Sequence, residues 1–260
     1  MEHSFKKIFF TASALIAASS SAYAETSEWQ TTLGLGAMVR PTYEGSDSYT
    51  VTPIPYINST YNDMLQIGPD SVSVYTRQDN LKLGIGGIYH GGREDSDDGG
   101  IFSNGDDYLQ GMGDIDSAFG AKAYTSYSLG SIALDAAATK YFGDDNDGIL
   151  LEAGISSPYK VSEQLSLTPN ASVTWANEDY MQTWFGVSPA QSAASGFSAY
   201  NAGAGIKNVD VGVRADYAFD ANWFISGNAK VKFLTGDAAD SPITESDING
   251  TLLTMVGYRF

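Results

Sequence analysis

Very few side chains in this sequence could act as a nucleophile, a redox group or a soft metal ligand. The 260 residues contain no cysteine, which excludes disulfides, zinc–thiolate sites and cysteine nucleophiles. Apart from His3 the only histidine is His90, which could serve as the base of a serine hydrolase. A lone histidine beside Gly91 and Gly92 is more often hydrogen-bonded to a loop. We therefore expect no catalytic residues and no enzymatic activity.

Acidic side chains are concentrated in two segments that the pattern below assigns to loops. They are Glu94, Asp95, Asp97, Asp98, Asp106 and Asp107 in one loop, and Asp144, Asp145 and Asp147 in the other. Carboxylates at this density could bind Ca²⁺ or Mg²⁺. The run from Asp144 to Gly148 resembles a calcium loop, but Ile155 stands where a bidentate Glu is required. We expect solvated loops without a resident metal or other cofactor, with divalent bridging to an anionic lipid surface as the alternative.

The N-terminus has the features of a secretory signal peptide. Lys6 and Lys7 precede the apolar run 8–18, and Ala22-Tyr23-Ala24 offers small residues at both positions that signal peptidase reads. We therefore assign residues 1–24 to the signal peptide and residues 25–260 to a single mature domain. The run is too short to span a membrane as a helix, and no later segment reaches the ~20 apolar residues that a spanning helix needs.

The charge of the mature chain argues against nucleic acid as a partner. The leader holds Glu2, Lys6 and Lys7, so 30 acidic and 12 basic side chains remain, a net charge near −18. Phosphates require a basic face. The Gly-x-Gly pairs in the sequence are also unlike phosphate loops, since no helix follows them.

The dominant pattern in the mature chain is a two-residue alternation of apolar and polar side chains. From Asn208 to Phe219 the odd positions are all apolar, whereas most even positions are polar, and Asn222 to Leu234 repeats the pattern after a short turn. A membrane protein without spanning helices must be a closed barrel, because an open sheet edge in lipid leaves backbone groups unpaired. A soluble periplasmic β-sandwich is the alternative, and the unbroken apolar faces favour the barrel.

Continuing this pattern predicts an all-β, antiparallel up-and-down transmembrane barrel of about 12 strands. The predicted strands are 28–40, 50–60, 62–68, 71–77, 81–91, 115–129, 131–142, 148–158, 163–175, 207–219, 222–234 and 248–260. Long and short connectors alternate, as in outer-membrane barrels. The strands 62–68 and 71–77 are short, and if they form one strand broken at Gly68-Pro69 the count becomes eleven.

The last strand runs to the final residue, with Tyr258 and Phe260 on one face. A terminal Phe with a Tyr two residues earlier resembles the assembly signature of bacterial outer-membrane barrels. The resemblance implies the Gram-negative outer membrane as the location. It also implies the barrel assembly machinery, membrane lipid and lipopolysaccharide as partners.

The predicted registers place most charged strand residues in the lumen. These residues are Arg40, Lys82, Asp116, Lys122, Asp135, Glu152, Asp210, Arg214, Asp216, Lys230, Lys232 and Arg259. Avoidance of the lipid accounts for part of this sorting, because a cation at mid-membrane costs ~2–4 kcal/mol. A packed ion-paired interior and a narrow water-filled path with a slight anion preference both remain open.

Three stretches, 40–56, 81–93 and 109–116, resemble the MipA/OmpV family of outer-membrane proteins. The motif positions are Pro41, Tyr43, Glu44, Gly45, Ser46, Pro53, Pro55, Gly92, Arg93, Gly111, Gly113 and Asp114. The resemblance implies a non-enzymatic scaffold that tethers murein-remodelling enzymes, a murein lytic transglycosylase and a murein synthase, to the outer membrane.

The connector lengths favour a second interpretation. Specific interfaces bury ~800 Å² per partner, and the predicted periplasmic turns are only a few residues long. The loops 92–114 and 176–206 are long enough to fold over the mouth or to bind a ligand outside. A narrow channel or an adhesin-like barrel that acts through its acidic outer loops is therefore the alternative function.

Overall fold

The structure, a computed structural model, describes residues 29–97, 99–100, 103–143 and 146–260. The predicted signal peptide lies outside the described residues, as do Asp98, Asp144 and Asp145. Thirteen strands occur in the described part: β1 (Trp29–Pro41), β2 (Tyr49–Tyr61), β3 (Leu65–Ile67), β4 (Ser71–Gln78), β5 (Leu81–His90), β6 (Ala118–Leu129), β7 (Ile132–Phe142), β8 (Gly148–Ser156), β9 (Tyr159–Lys160), β10 (Leu165–Ala176), β11 (Gly205–Ala218), β12 (Trp223–Leu234) and β13 (Ile248–Arg259). Two helices, α1 (Glu178–Phe185) and α2 (Pro189–Ser195), lie between β10 and β11.

The strands close into an antiparallel barrel. Apart from the two-residue β9, each strand pairs with its neighbours along the chain, so that β8 pairs with β10, and β1 pairs with β13 to close the ring. The two-residue β9 pairs only with β10, where it continues the line of β8. The described chain therefore has twelve positions around the ring, and the predicted fold class is confirmed.

The two faces of the wall differ as the alternation predicts. Outward side chains are apolar and exposed, for example Leu35, which is 68% exposed, Ile85 and Val211. Polar and charged side chains point into the lumen from the alternate positions. Lipid contact explains an outward face of this kind, because water would make such a surface unfavourable.

The strands near residue 70 are two separate strands rather than one. A turn at 68–70 separates β3 from β4, and β3 is only three residues long. Pro69 has no backbone N–H, so it cannot continue the ladder. Several predicted strand boundaries differ by up to three residues: β3 begins at Leu65 rather than at residue 62, and β6 begins at Ala118 rather than at residue 115, which leaves Asp116 in the preceding loop.

The two ends of the barrel carry connectors of different length. The turn end has the short connectors 62–64, 79–80, 130–131, 157–164 and 219–222. The loop end has the long connectors 91–117, 177–204 and 235–247, together with the shorter connectors 42–48, 68–70 and 143–147. No helix among the described residues is both long and apolar enough to cross a membrane.

Candidate functional site

The mouth at the loop end is filled by α1, and its first residues attach it to the wall. The side-chain oxygen of Asn177 accepts hydrogen bonds from the backbone N–H of Tyr180 (3.3 Å) and from that of Ile149 in β8 (2.7 Å). Glu178 and Asp179 in the first turn interact favourably with the helix dipole. Asn177 therefore starts the helix and also anchors its N-terminus to the barrel.

One face of α1 is apolar and buried against the lumen wall. Its buried side chains are Tyr180, Met181, Trp184 and Phe185, whose spacing places them together on a helix. They belong to a cluster that includes the lumen-facing side chains of Ala118, Tyr141, Ala176 and Leu234. Burial of a large apolar side chain contributes ~1.5–3 kcal/mol. Hydrophobic packing therefore holds α1 inside the mouth.

Arg93, a predicted family-motif residue, fixes the other end of α1. Its Nη1 donates a hydrogen bond to the carbonyl of Trp184 (2.9 Å), and its guanidinium lies 5.8 Å from the centre of the Trp184 ring. Burial lowers the pKa of Arg93 to about 10, so the side chain keeps its charge at neutral pH. The preceding residue, Gly92, has no room for a Cβ because the carbonyl of Ile115 occupies that position.

Glu44, a second predicted motif residue, forms a buried charge cluster beside the plug helix α1. Its carboxylate pairs with Lys207 at 2.5 Å and with Lys232. The Nζ of Lys207 also lies 5.5 Å from the centre of the Tyr180 ring. Burial alone would raise the pKa of Glu44, but the two ammonium groups outweigh it and hold this pKa well below its ordinary value. Glu44 therefore links loop 42–48 to β11 and β12 as an ionised carboxylate.

The other residues of the Tyr-Glu-Gly-Ser motif join loop 42–48 to loop 235–247. Tyr43 donates its hydroxyl proton to the carbonyl of Ile243 (2.8 Å), and the Glu245 carboxylate lies 3.0 Å away. The N–H of Gly45 donates to Asn249 Oδ1 (2.8 Å), while its carbonyl accepts from Glu245 N. Gly45 has a φ of +103°, which a side chain would strain.

The acidic loop 91–117 uses several carboxylates as acceptors for its own backbone. Asp95 Oδ2 accepts from the N–H groups of Gly111 and Gly113, both at 3.0 Å, and Asp114 accepts from Asp95 N. Asp106 Oδ2 accepts from Thr42 Oγ1 (2.5 Å). No group of three or more acidic or histidine side chains in the described ranges is arranged to hold a metal ion.

The predicted lumen charges are divided between ion pairs and a cavity. Lys230 pairs with Asp210 (3.2 Å) and Arg214 with Asp216 (2.9 Å). A lumen cavity of about 390 Å³ lies near β4 to β8 and is lined by the charged side chains of Lys82, Lys122, Asp135 and Glu152. The remaining cations, Arg40 and Arg259, contact loop carbonyls and the Phe224 ring respectively.

The lone histidine takes part in the packing beneath the plug. His90 Nδ1 donates to the carbonyl of the adjacent Gly91 (2.6 Å), and its ring lies 4.9 Å from those of Tyr141 and Trp184.

At the opposite end, Tyr258 contacts both Trp223 and Phe260 on the outward face. Phe260 N donates to the carbonyl of Thr31 (2.9 Å), so the last residue helps to close the barrel.

The alternation of side chains did not predict that Lys207 faces the lumen. Lys207 occupies an odd position of β11, and the odd positions farther along this strand face outward. A register shift opposite Thr174 and Trp175 turns Lys207 inward, as β-bulges commonly do. The signal in the sequence is the pair Lys207-Asn208, where two polar residues interrupt the alternation.

The sequence profile of the family described as MltA-interacting protein MipA matches residues 33–260. The chain belongs to this family. It is 28% identical to the MltA-interacting protein of Escherichia coli (strain K12) over 117 residues, 45% of this chain and 46% of that relative. The putative outer membrane protein YiaT of the same organism is 26% identical over 162 residues, 61% of this chain and 64% of YiaT. The chain thus spans about half to two thirds of the length of these curated relatives.

Solved structures similar to this member of the MipA family include two porins. NanC porin aligns with a TM-score of 0.46 and 9% identity over 88% of this chain and 100% of NanC. KdgM porin aligns with a TM-score of 0.42 and 8% identity over 88% of this chain and 99% of KdgM. The barrel fold and the outer-membrane relatives support an outer-membrane location.

Proposed function

We propose that this protein is a non-enzymatic, non-conducting barrel that anchors a murein-remodelling enzyme to the outer membrane. The observation that carries the proposal is the filled mouth: Arg93 and Glu44 hold α1 and the surrounding loops in place. A porin needs an open path through its mouth. The family-motif residues instead stabilise a closed one, which supports an anchoring role over conduction.

The turn end is the surface that such a partner would contact. In bacterial barrels short turns face the periplasm and long loops face outside, so the turn end would face the murein layer. Met64 at the tip of turn 62–64 is 61% exposed, and the longest turn, 157–164, exposes Lys160. Because an interface needs ~800 Å² per partner, the enzyme would contact several turns together. The name of the Escherichia coli relative, MltA-interacting protein, supports a murein lytic transglycosylase as this partner, and the family resemblance adds a murein synthase.

A capture assay with a purified murein lytic transglycosylase tests this proposal. Met64→Glu combined with Lys160→Glu changes two exposed side chains at the turn end, one in turn 62–64 and one in the two-residue β9, and we expect it to reduce capture strongly. Tyr108→Glu, at an exposed loop-end position, is the matched control and should bind like wild type. Heat-modifiable migration verifies folding of both variants. Loss of capture in the Tyr108 variant alone would contradict an anchor at the turn end.

A second candidate function is a surface-binding barrel. The observation that favours it is the row of exposed carboxylates at the loop end, including Glu94, Asp107 and Asp114. Replacing these three by their amides should then abolish adhesion of whole cells and its dependence on Ca²⁺ or Mg²⁺. Unchanged adhesion, together with normal enzyme capture, would exclude this candidate.

A further inference from the structure

The barrel wall is incomplete beside one strand. β2 pairs with β1 along its full length. On its other side β2 pairs with β3 only through Ser59, Thr60 and Tyr61. Within the described ranges, no strand pairs with residues 49–58 on that side. Because β3 is so short, the ring closes near the turn end and leaves a gap beside residues 52–58 of β2, whereas loop 91–117 lines a small cavity together with Tyr49, Thr50 and Val51.

Two motif prolines keep this edge of β2 from pairing. Pro53 is opposite Ala37 and Pro55 is opposite Leu35 in the ladder with β1. A proline cannot donate, so each of these must be a non-hydrogen-bonded pair, in which nitrogen and carbonyl point away from the partner strand. The nitrogens of both prolines therefore face the gap, where a further strand would need N–H donors.

A third proline blocks the facing side of the gap. Ile67 is the last residue of β3 and pairs with Ser59. If the ladder continued by two residues, Pro69 would stand opposite Ile57, and it has no N–H to donate. The interruption is therefore present in the sequence of both flanking segments.

The resulting edge offers more hydrogen-bond acceptors than donors. Alternation along β2 directs the carbonyls of Pro53, Pro55 and Ile57 into the gap, whereas only Ile57 contributes an N–H group there. A buried carbonyl needs a donor. A ligand that satisfies this edge must therefore supply hydroxyl or amide protons.

The surroundings of the gap are apolar outside and open inside. Val51, Ile57 and Val72 face outward and are each more than half exposed. On the lumen side, Ile54 and Tyr56 are half-buried, and the lumen cavity of about 390 Å³ extends to Ser71 and Ser73 next to the gap. The acyl chain of a membrane lipid at this place would thus lie beside an opening that leads to the cavity.

We propose that this gap is a lateral passage through which the acyl chain of an outer-membrane lipid enters the lumen. Hydroxyl or amide groups of the lipid bind the free carbonyls of β2, and the chain lies between the apolar side chains that flank the gap. A β-strand of a second copy is the wrong occupant, because three prolines remove donors that pairing requires. α1 packs against the wall inside the mouth, so the gap in the wall is the direct route from the membrane to the cavity.

Cysteine labelling tests the passage, and the absence of native cysteine makes single variants specific. Ile54→Cys places a thiol on the lumen side of the gap. Asn228→Cys places one on the lumen side of β12, which is paired on both sides. Each variant is folded into vesicles of phosphatidylethanolamine and phosphatidylglycerol that contain a phospholipid with a maleimide at the end of one acyl chain. A sulfonated water-soluble maleimide reports access from water, and Tyr56→Cys replaces Ile54→Cys if that variant does not fold.

We expect the lipid reagent to label the Ile54→Cys variant about tenfold faster than the Asn228→Cys variant, because thiol reactivity follows access. The water-soluble reagent should label both variants at similar rates. Equal, slow labelling by the lipid reagent at both positions would overturn the proposal, since it would mean a closed wall. Disulfide-linked dimers of Ile54→Cys in place of lipid adducts would also overturn it, in favour of a second copy at the edge.

Discussion

The guanidinium of Arg93, just after β5, donates a hydrogen bond to the backbone carbonyl of Trp184, in the last turn of the plug helix, at 2.9 Å. The two residues are 91 positions apart in the sequence. This bond connects loop 91–117 directly to the helix that packs inside the mouth. It makes closure of the barrel a property that single substitutions can test.

Arg93→Met should loosen the plug and produce ion conductance. Loss of a hydrogen bond from a charged donor costs ~1.5–3 kcal/mol, which is a large share of what holds a two-turn helix. Planar-bilayer recording of the refolded variant measures the effect, with wild type expected to be silent. Arg77→Met is the matched control, because Arg77 lies at the turn end, far from the plug, where it forms an exposed pair with Asp63. Equal conductance in both variants would argue against the plug.

Glu44→Gln should destabilise the loop-end cap, because it leaves Lys207 and Lys232 near each other without a counter-charge. Breaking a buried pair from one side costs ~3–5 kcal/mol. Thermal unfolding in detergent measures the loss. The control is Glu163→Gln, since Glu163 pairs with Lys160 on the surface and its side chain is 91% exposed. An equal change in Tm for the two variants would contradict the role of Glu44.

The same carboxylate predicts a dependence of stability on pH. Its pKa in the folded protein lies below the ordinary value of 4.5, because two ammonium groups oppose its protonation. Such a group stabilises the fold fully above its unfolded pKa and loses this contribution as the pH falls towards the folded pKa. The Tm of wild type should therefore fall further between pH 6 and pH 3 than the Tm of the Glu44→Gln variant. Parallel Tm curves over this range would exclude the linkage.

The lipid-facing assignment of β11 can be tested with a pair of arginines. Val211→Arg places a charge in hydrocarbon, which costs ~2–4 kcal/mol at mid-membrane, and the folded yield in vesicles should drop. Ser172→Arg on the adjacent β10 points into the lumen opposite Asp210 and should fold normally. Equal yields for the two variants would mean that the two faces are assigned incorrectly.

The prolines of β2 can be replaced to test their effect on the strand edge. Pro53→Val combined with Pro55→Val restores two N–H groups on an edge without a partner strand, and such an edge pairs readily with other chains. We expect more oligomer during refolding, measured by light scattering and by cross-linking. Pro169→Val in β10 is the control, since β10 is paired on both sides over most of its length. Oligomers in the control alone would refute this role.

The alternation of side chains determined the barrel, the number of strands and the face on which most residues lie. This was possible because the two-residue period depends only on strand geometry and on lipid outside the wall. The alternation did not predict the start of β6 at Ala118 or the inward direction of Lys207. A strand start and a β-bulge depend on which backbone groups find partners across the sheet, and the local pattern does not contain that information.

The closed mouth was decided by the tertiary structure. Glu44, Arg93 and Trp184 are visible in the sequence as motif or loop residues, but their partners are 91 to 188 positions away. In the same way, the sequence contains Pro53 and Pro55, whereas only the register with β1 shows that their nitrogens face a gap. Contacts between distant segments form only when the ring closes and brings loops 42–48, 91–117 and 177–204 to one end, because the chain itself does not specify which of its many polar groups will meet there.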